Sequence, residues 1–341
     1  MENNIAPEIW EYTRQIVKNT LGTQVKLNGF EWSNGGGLFC KVFKINTNTG
    51  DFILKVERDK IFFATRKDQI ENEVFGNAIF RKAGIACPDI LAYDFTKNDT
   101  GVRYVFMEHI TNKTEDWPLV GEKFDELDEK IKSKIRQQVK TIIEKEKSIT
   151  NSHFGSLSPS GTIGRHETYD KYYHSALDLL IQDSEEYNIF TSEELDTVKQ
   201  AAAKKLVYSK KYIPAFVHGD LGYHNLIWGN INGGENKVYV IDFGNAYFGL
   251  PYITEIHGIR EEGADIIDIM GLDRDLYENN LISSFEGMFW TVTQQLTEDY
   301  EYGRMADWIK SIKNENPNNP NNLNNSRTHI TDFVDKCRKI L

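Results

Sequence analysis

Two stretches, "PAFVHGDLGYHNLIW" (214–228) and "KVYVIDFGNA" (237–246), constrain the fold of this chain more than any other feature. Each opens on an apolar run that reads as a short buried strand, and each leaves a carboxylate at or just past the exit: Asp220 after the first, Asp242 after the second. "GNINGGEN" between them reads as a hairpin turn. An amide, Asn225, stands five residues past Asp220. If the strands beside the turn pair, Asn225 and Asp242 come together. One carboxylate and one amide oxygen make a partial shell for Mg²⁺, which prefers oxygen ligands and shares them with substrate phosphates. Asp220 then remains to orient a hydroxyl and accept its proton. Either aspartate alone has an ordinary reading as a turn or helix cap, but the ordered pair of motifs rarely arises by accident. Gly244 is expected to let the chain turn after Asp242, and His218 is expected to support its loop rather than carry a proton.

Upstream, the pattern changes from strands to helices. "APEIWEYTRQIVKNTLG" reads as a helix ended by Gly22. Gln24–Trp32, Leu38–Ile45 and Phe52–Glu57 read as consecutive antiparallel strands, separated by Asn34 and Gly35–Gly37 and then by "NTNTGD". Asp68–Ala83 reads as a helix with Ile70, Val74, Phe75, Ala78 and Ile79 on its apolar side, ended by Gly84. "VRYVFMEHI" is the most apolar strand of this half, and the polar "TNKTEDWP" after it reads as a connection between lobes. Apolar residues at steps of three and four predict a long amphipathic helix over Phe124–Ser148. "HFGSLSPSGTIG" reads as a loop, Tyr169–Ile181 and Ser192–Val207 as helices, and the run from Ile330 to Ile340 as a last helix that docks back. The expected fold is α+β and bilobal: a small antiparallel sheet lobe over residues 1–110 and a larger, mainly helical lobe over 111–341.

"HGDLGYHN" followed by "VIDFG" resembles the catalytic and metal-binding loops of the aminoglycoside phosphotransferase and choline kinase group, relatives of protein kinases. Gly219 stands where protein kinases usually carry arginine. No Ala-Pro-Glu follows "FGNAYFGLPYI", so the chain resembles the small-molecule branch. The resemblance implies a protein-kinase-like fold that binds ATP or GTP with Mg²⁺. It implies that Lys55 in "DFILKVERD" holds nucleotide phosphates and that a carboxylate of the following helix holds Lys55. Glu73 fits that place best, and Glu71, whose plain reading is a solvated face, is the fallback. "SNGGGLFCKVF" takes the place of the phosphate-covering loop, so Gly36 and Gly37 become nucleotide-binding candidates, although a plain hairpin turn accounts for them equally well. Backbone groups around Glu108 and Ile110 are expected to meet the base. "GLPYITE" carries Thr254 and Glu255 where the group often has an aspartate.

Composition narrows the partners. Lys plus Arg total 40 against 51 Asp plus Glu, a net charge of −11, which argues against nucleic acid or an anionic membrane. Apolar runs fall short of the roughly 20 residues that span a bilayer. The first residues lack a signal-peptide profile, and three scattered cysteines form no CxxC pair. A reducing compartment, the cytoplasm, is expected. Between Gly249 and Tyr300, 11 acidic residues face two basic ones, Arg260 and Arg274. Solvated helix faces explain that as well as a negative basin for a cationic substrate does. On the second reading Glu255, Glu261, Glu262, Asp265 and Asp268 receive the ammonium groups of an aminoglycoside or aminocyclitol. Choline, ethanolamine, a fructosamine, an amino acid or a sugar are alternative acceptors, and a catalytically silent nucleotide-binding regulator is the alternative of another class. Sequence leaves the oligomeric state open.

Overall fold

The computed structural model describes residues 7–32, 39–59, 61, 67–97, 100–111, 127–204, 212–250, 281, 285, 288 and 324–341. The glycine segment with Gly36 and Gly37, and the acids Glu255, Glu261, Glu262, Asp265 and Asp268, lie outside the described residues.

Strand alternation in the first third sorts side chains onto two faces of one sheet. Helix α1 (Pro7–Leu21) precedes β1 (Leu27–Trp32), β2 (Cys40–Thr47) and β3 (Gly50–Glu57). Helix α2 (Gln69–Lys82) and strands β4 (Ile90–Asp94) and β5 (Tyr104–Glu108) follow. The five strands pair antiparallel in the order β1-β2-β3-β5-β4. Leu54 and Val56 of β3 pack with Phe43, Ile45 and Phe106 against Ile16 and Val17 of α1. Ile53, one step out of phase, packs against Ile70 and Val74 of α2. Lys55 shares the parity of Ile53, so the two-residue period alone turns it toward α2.

The second part carries the longer helices. Helix α3 (Glu129–Ser148) starts five residues later than its periodicity predicts, because the Asp128 carboxylate accepts the Ile131 amide at 2.9 Å and fixes the N-cap there. Strand β6 (Gly155–Ser156), α4 (Tyr169–Glu186), α5 (Ser192–Ala202) and β7 (Ala215–Val217) follow. A single 3₁₀ turn (Tyr223–Asn225) opens β8 (Leu226–Gly229), β9 (Lys237–Val240) leads to a second 3₁₀ turn (Phe243–Asn245), and β10 (Tyr247–Gly249) leaves it. β8 and β9 form the predicted hairpin, pairing Leu226 with Val240 and Gly229 with Lys237. β10 lies between β6 and β7. The terminal helix α6 (Asn324–Ile340) docks as expected: Ile330, Phe333, Val334 and Cys337 are buried with α4 and α5, and Phe333 stacks on Phe285 at 4.4 Å. Each such large apolar side chain contributes about 1.5–3 kcal/mol on burial. Glu194 serves two elements, closing the capping box of α5 with Thr191 and pairing with Arg327 of α6.

The two parts meet along α2. Phe80 belongs to the core that α3 forms with β7–β10, while Ile70 and Val74 belong to the sheet core. At residue 111 the chain joins the tip of the β8–β9 hairpin, where Thr111 and Asn230 exchange backbone hydrogen bonds of 2.7 and 2.9 Å. Among the described residues no helix is long and apolar enough to cross a membrane.

Candidate active site

Lys55 is buried, and its ammonium lies 3.0 Å from a carboxylate oxygen of Glu73 and 3.0 Å from one of Asp242. Three elements meet at this point: β3, α2 and the exit of β9. Burial works against the charged lysine, but the Asp242 and Glu73 carboxylates outweigh it and push its pKa up. Burial likewise opposes ionisation of Asp242, yet Lys55 holds that carboxyl below its usual range. Glu73 is the more enclosed, and burial raises its pKa against the pull of Lys55. Asp242 keeps 48% of its side chain exposed.

Glu73, not Glu71, is therefore the partner of Lys55. The fallback residue is not on a solvated face: Glu71 is buried, and it binds Arg103 at 3.2 Å and the hydroxyls of Ser158 and Ser160.

The turn after Asp242 is made differently from the expectation. Asp242 itself takes the left-handed conformation, with φ 66° and ψ 63°, and Gly244 is not among the residues of positive φ. A non-glycine residue in this conformation is uncommon, and such backbone strain clusters at functional sites. Phe243, next in the chain, is wholly buried and anchors the turn, 5.0 Å from the Phe80 ring and 4.9 Å from the His218 ring. Gly76 of α2 lies against it; a Cβ there would stand 2.7 Å from the Phe243 Cβ. Gln69 donates to the Asn245 side chain at 2.9 Å and Asn72 to the Gly244 carbonyl at 3.1 Å.

The loop after β7 presents Asp220. Both its carboxylate oxygens are held: His224 Nε2 lies 3.1 Å from Oδ1, and Asn225 Nδ2 donates to Oδ2 at 3.0 Å and to the Asp220 carbonyl at 2.7 Å. Asn225 is tied to the strand leading to Asp242, since its carbonyl accepts the Ile241 amide at 3.0 Å. Hydrogen bonding to Asp220 raises the His224 pKa against burial, and the His224 charge acts on Asp242 as well. His218, fully buried, lies 3.0 Å from the Ile241 carbonyl through Nε2, and its Nδ1 accepts the Asp220 amide at 3.3 Å. Those two bonds select a neutral ring protonated on Nε2, and burial pulls its pKa down to about 4. Sequence reasoning missed His224 and the α2 amides Gln69 and Asn72. The spacing of His224, four residues past Asp220 and next to Asn225, was the available signal for the first.

At the end of β5, the Glu108 amide donates to the Asp89 carbonyl at 3.0 Å and the Glu108 side chain accepts the Asp89 amide at 3.0 Å. Ile110 is buried with Ile227 and Tyr239. A separate cavity of about 590 Å³ lies behind the β8–β9 hairpin, lined by Arg81, Lys145, Lys237 and Tyr239 among others. It is not part of this site. Its cations are occupied by Asp89, the Gly84 carbonyl and the Tyr239 ring.

A sheet lobe with a buried lysine–glutamate pair, set against a helical lobe whose loops carry Asp220, Asn225 and Asp242, is the architecture of a kinase-like phosphotransferase. The chain belongs to the phosphotransferase enzyme family, whose sequence profile matches residues 34–253. No curated protein matches it by sequence. Among solved structures it is similar to a fructosamine-3-kinase candidate from Haemophilus somnus 129PT, with TM-score 0.61, 14% identity and 97% of each chain covered. It is similar to a thermostable mutant of aminoglycoside phosphotransferase APH(4)-Ia in ternary complex with AMP-PNP and hygromycin B, with TM-score 0.54, 14% identity, and 97% of this chain and 99% of that one covered. A mutant aminoglycoside 2'-phosphotransferase-IIIa in its GDP complex gives TM-score 0.52 at 12% identity, with 97% of each chain covered. These likenesses establish the protein-kinase-like fold.

Proposed function

We propose that the protein transfers the γ-phosphate of ATP or GTP to a hydroxyl of a small cationic molecule, with an aminoglycoside or aminocyclitol as the favoured acceptor. The observation that carries this is the triangle of Lys55, Glu73 and Asp242, with Asp220 held beside it by Asn225. Lys55 binds the α- and β-phosphates, and Glu73 fixes the ammonium. Asp220 orients the acceptor hydroxyl and takes its proton. Residues 1–110 form the nucleotide lobe and 111–341 the catalytic lobe, with Gly36 and Gly37 over the phosphates and the segment from Glu108 to Ile110 at the base.

The residues fit Mg²⁺. Asp242 offers a carboxylate on its exposed side, and with Asn225 Nδ2 committed to Asp220, the amide oxygen Oδ1 is the atom a cation would meet. Among the described residues no group of three His, Cys, Asp or Glu could hold a metal alone, which suits an ion that takes its remaining ligands from phosphates and water. Bound there, Mg²⁺ would offset the charge on the phosphates.

The cationic acceptor is supported by the charge of residues 249–300, where 11 acids face two bases. Glu255, Glu261, Glu262, Asp265 and Asp268 are the nearest in sequence to the metal loop. A fructosamine is the second acceptor, favoured by the likeness to the fructosamine-3-kinase candidate. Phosphate transfer from ATP or GTP, assayed against aminoglycosides, fructosamines and small amino alcohols, tests the reading. Turnover of one class assigns the acceptor. Nucleotide binding without transfer to any of them would favour a silent regulator. Neutralising the five acids together should weaken acceptor affinity and its salt dependence; no change in either would remove the acidic basin from the account.

A further inference from the structure

Glu71 and Glu73 lie two positions apart on α2, about 200° around the helix, so they face opposite ways. Glu73 faces Lys55. Glu71 faces a loop of the other lobe, and its two oxygens take separate partners. Oε1 accepts Arg103, the residue before β5, at 3.2 Å, and Oε2 accepts both the Ser158 and Ser160 hydroxyls. Arg103 also binds Glu57 of β3 at 2.6 Å and the Lys67 carbonyl at 3.1 Å. Beside it, Asp68 accepts the Thr162 amide.

The loop "SLSPSG" (156–161) is built to present those hydroxyls. Its amides turn inward, Ser158 N to Ser156 Oγ at 3.2 Å and Ser160 N to Ser158 Oγ at 3.1 Å. Leu157 is buried in the core that also holds Phe80 and Phe243. The loop grows directly out of β6, and β6 pairs with β10, which pairs with β7. β7 leads to Asp220 and β10 leaves the turn that follows Asp242. The small sheet therefore carries three things at once: the Asp220 loop, the Asp242 turn and the serine loop that grips α2.

The geometry points to Glu71 as a positioning residue for phosphoryl transfer: clasped by Ser158, Ser160 and Arg103, it sets the rotation of α2, and so the place of Glu73 and Lys55, against the sheet that carries Asp220 and Asp242. This rests on the phosphotransferase reading above for its consequence, but not for its mechanics. Without the clasp α2 keeps its apolar contacts and its Gln69 and Asn72 bonds, so the helix should stay folded while its rotation loosens. The effect then reaches the nucleotide only through Glu73.

Two measurements test it on the full chain: amide hydrogen exchange over residues 69–82 without nucleotide, and calorimetric affinity for AMP-PNP with Mg²⁺. The variants are Glu71→Ala and, keeping the glutamate and its arginine, the double variant Ser158→Ala/Ser160→Ala. Each is also made on a Glu73→Ala background. Exchange over α2 should rise about tenfold while α5 stays unchanged. AMP-PNP affinity should fall about five- to tenfold, and that loss should shrink below about twofold once Glu73 is gone, since the residues act in series. Unchanged α2 exchange in the serine variant overturns the clasp. A loss of affinity that persists in full on the Glu73→Ala background overturns the positioning role and leaves Glu71 a fold-stabilising residue. If the unmodified protein binds neither AMP-PNP nor GMP-PNP with Mg²⁺, the phosphotransferase reading fails and the exchange measurement alone decides the clasp; if it binds only GMP-PNP, that nucleotide carries the affinity test.

Discussion

The α-carbon of Gly219 lies so close to the Asn245 carbonyl that a Cβ on residue 219 would stand 2.3 Å from that oxygen. Gly219 also has φ +84°. The contact sets the loop bearing Asp220 directly against the turn bearing Asp242, with backbone on one side and no side chain on the other. Replacing Gly219 with alanine combines a left-handed backbone strain with a clash against main chain. Gly219→Ala should lose at least about 2 kcal/mol of stability, read from denaturant midpoints. Phosphate transfer should fall further than stability alone explains, because the two loops must separate. A variant with an unchanged midpoint and normal turnover would show that the loops are not held by this contact.

The Lys55 triangle predicts unequal effects for its members. Lys55→Met leaves the Glu73 carboxylate, 3% exposed, facing Asp242 without the ammonium between them. Phosphate transfer should fall by two or more orders of magnitude, in line with the loss of a preorganised charge that positions the α- and β-phosphates and offsets charge building on the leaving group. Glu73→Gln keeps a hydrogen-bond acceptor 3.0 Å from Lys55 and should fall by about tenfold or less. Steady-state kinetics at saturating nucleotide separates the two. Equal losses would mean that Glu73 does more than hold the lysine.

Much of this site was legible in the sequence, for physical reasons. The period of two in β3 placed Lys55 on the α2 face, and the hairpin turn at 229–236 paired β8 with β9 and so tied the Asn225 loop to the strand before Asp242. The resemblance preferred Glu73 over Glu71, and the ion pair with Lys55 agrees, but the burial of Glu71 was not legible, because the serine loop that binds it lies 87 positions away. The sequence pointed to glycine for the turn after Asp242, since glycine takes positive φ most easily. The structure puts that conformation on Asp242 itself, with buried Phe243 holding the turn against Phe80 and His218. The "HFGSLSPSGTIG" stretch looked like an ordinary loop because its serines bond to a carboxylate 87 and 89 positions away, which no local pattern reports.

Asp220 and His224 give a graded pair. Asp220→Asn removes the proton acceptor while keeping the shape, and should lower turnover by about 10²–10⁴-fold with nucleotide affinity unchanged. His224→Ala frees one carboxylate oxygen, while Asn225 still holds the other at 3.0 Å. It should lower turnover by only a few-fold, as expected for the loss of one orienting hydrogen bond of about 1 kcal/mol. Turnover by Asp220→Asn at near-normal rate would remove Asp220 as the base.

His218 makes stability depend on pH in a definite direction. The folded protein holds the ring neutral, its pKa drawn from 6.5 down to about 4 by burial. The unfolded chain takes up the proton first as pH falls. Stability from this residue is therefore fully present above about pH 6.5 and is lost progressively between there and about pH 4, by an amount on the order of 3 kcal/mol. His218→Gln replaces the ring with an amide that can still donate to the Ile241 carbonyl and does not titrate. Urea midpoints from pH 4 to 8 should show the unmodified protein losing more stability over this window than the variant, even if the variant starts lower. Parallel pH curves for the two proteins would mean that the ring titrates alike in the folded and unfolded states, against the two hydrogen bonds that hold it neutral.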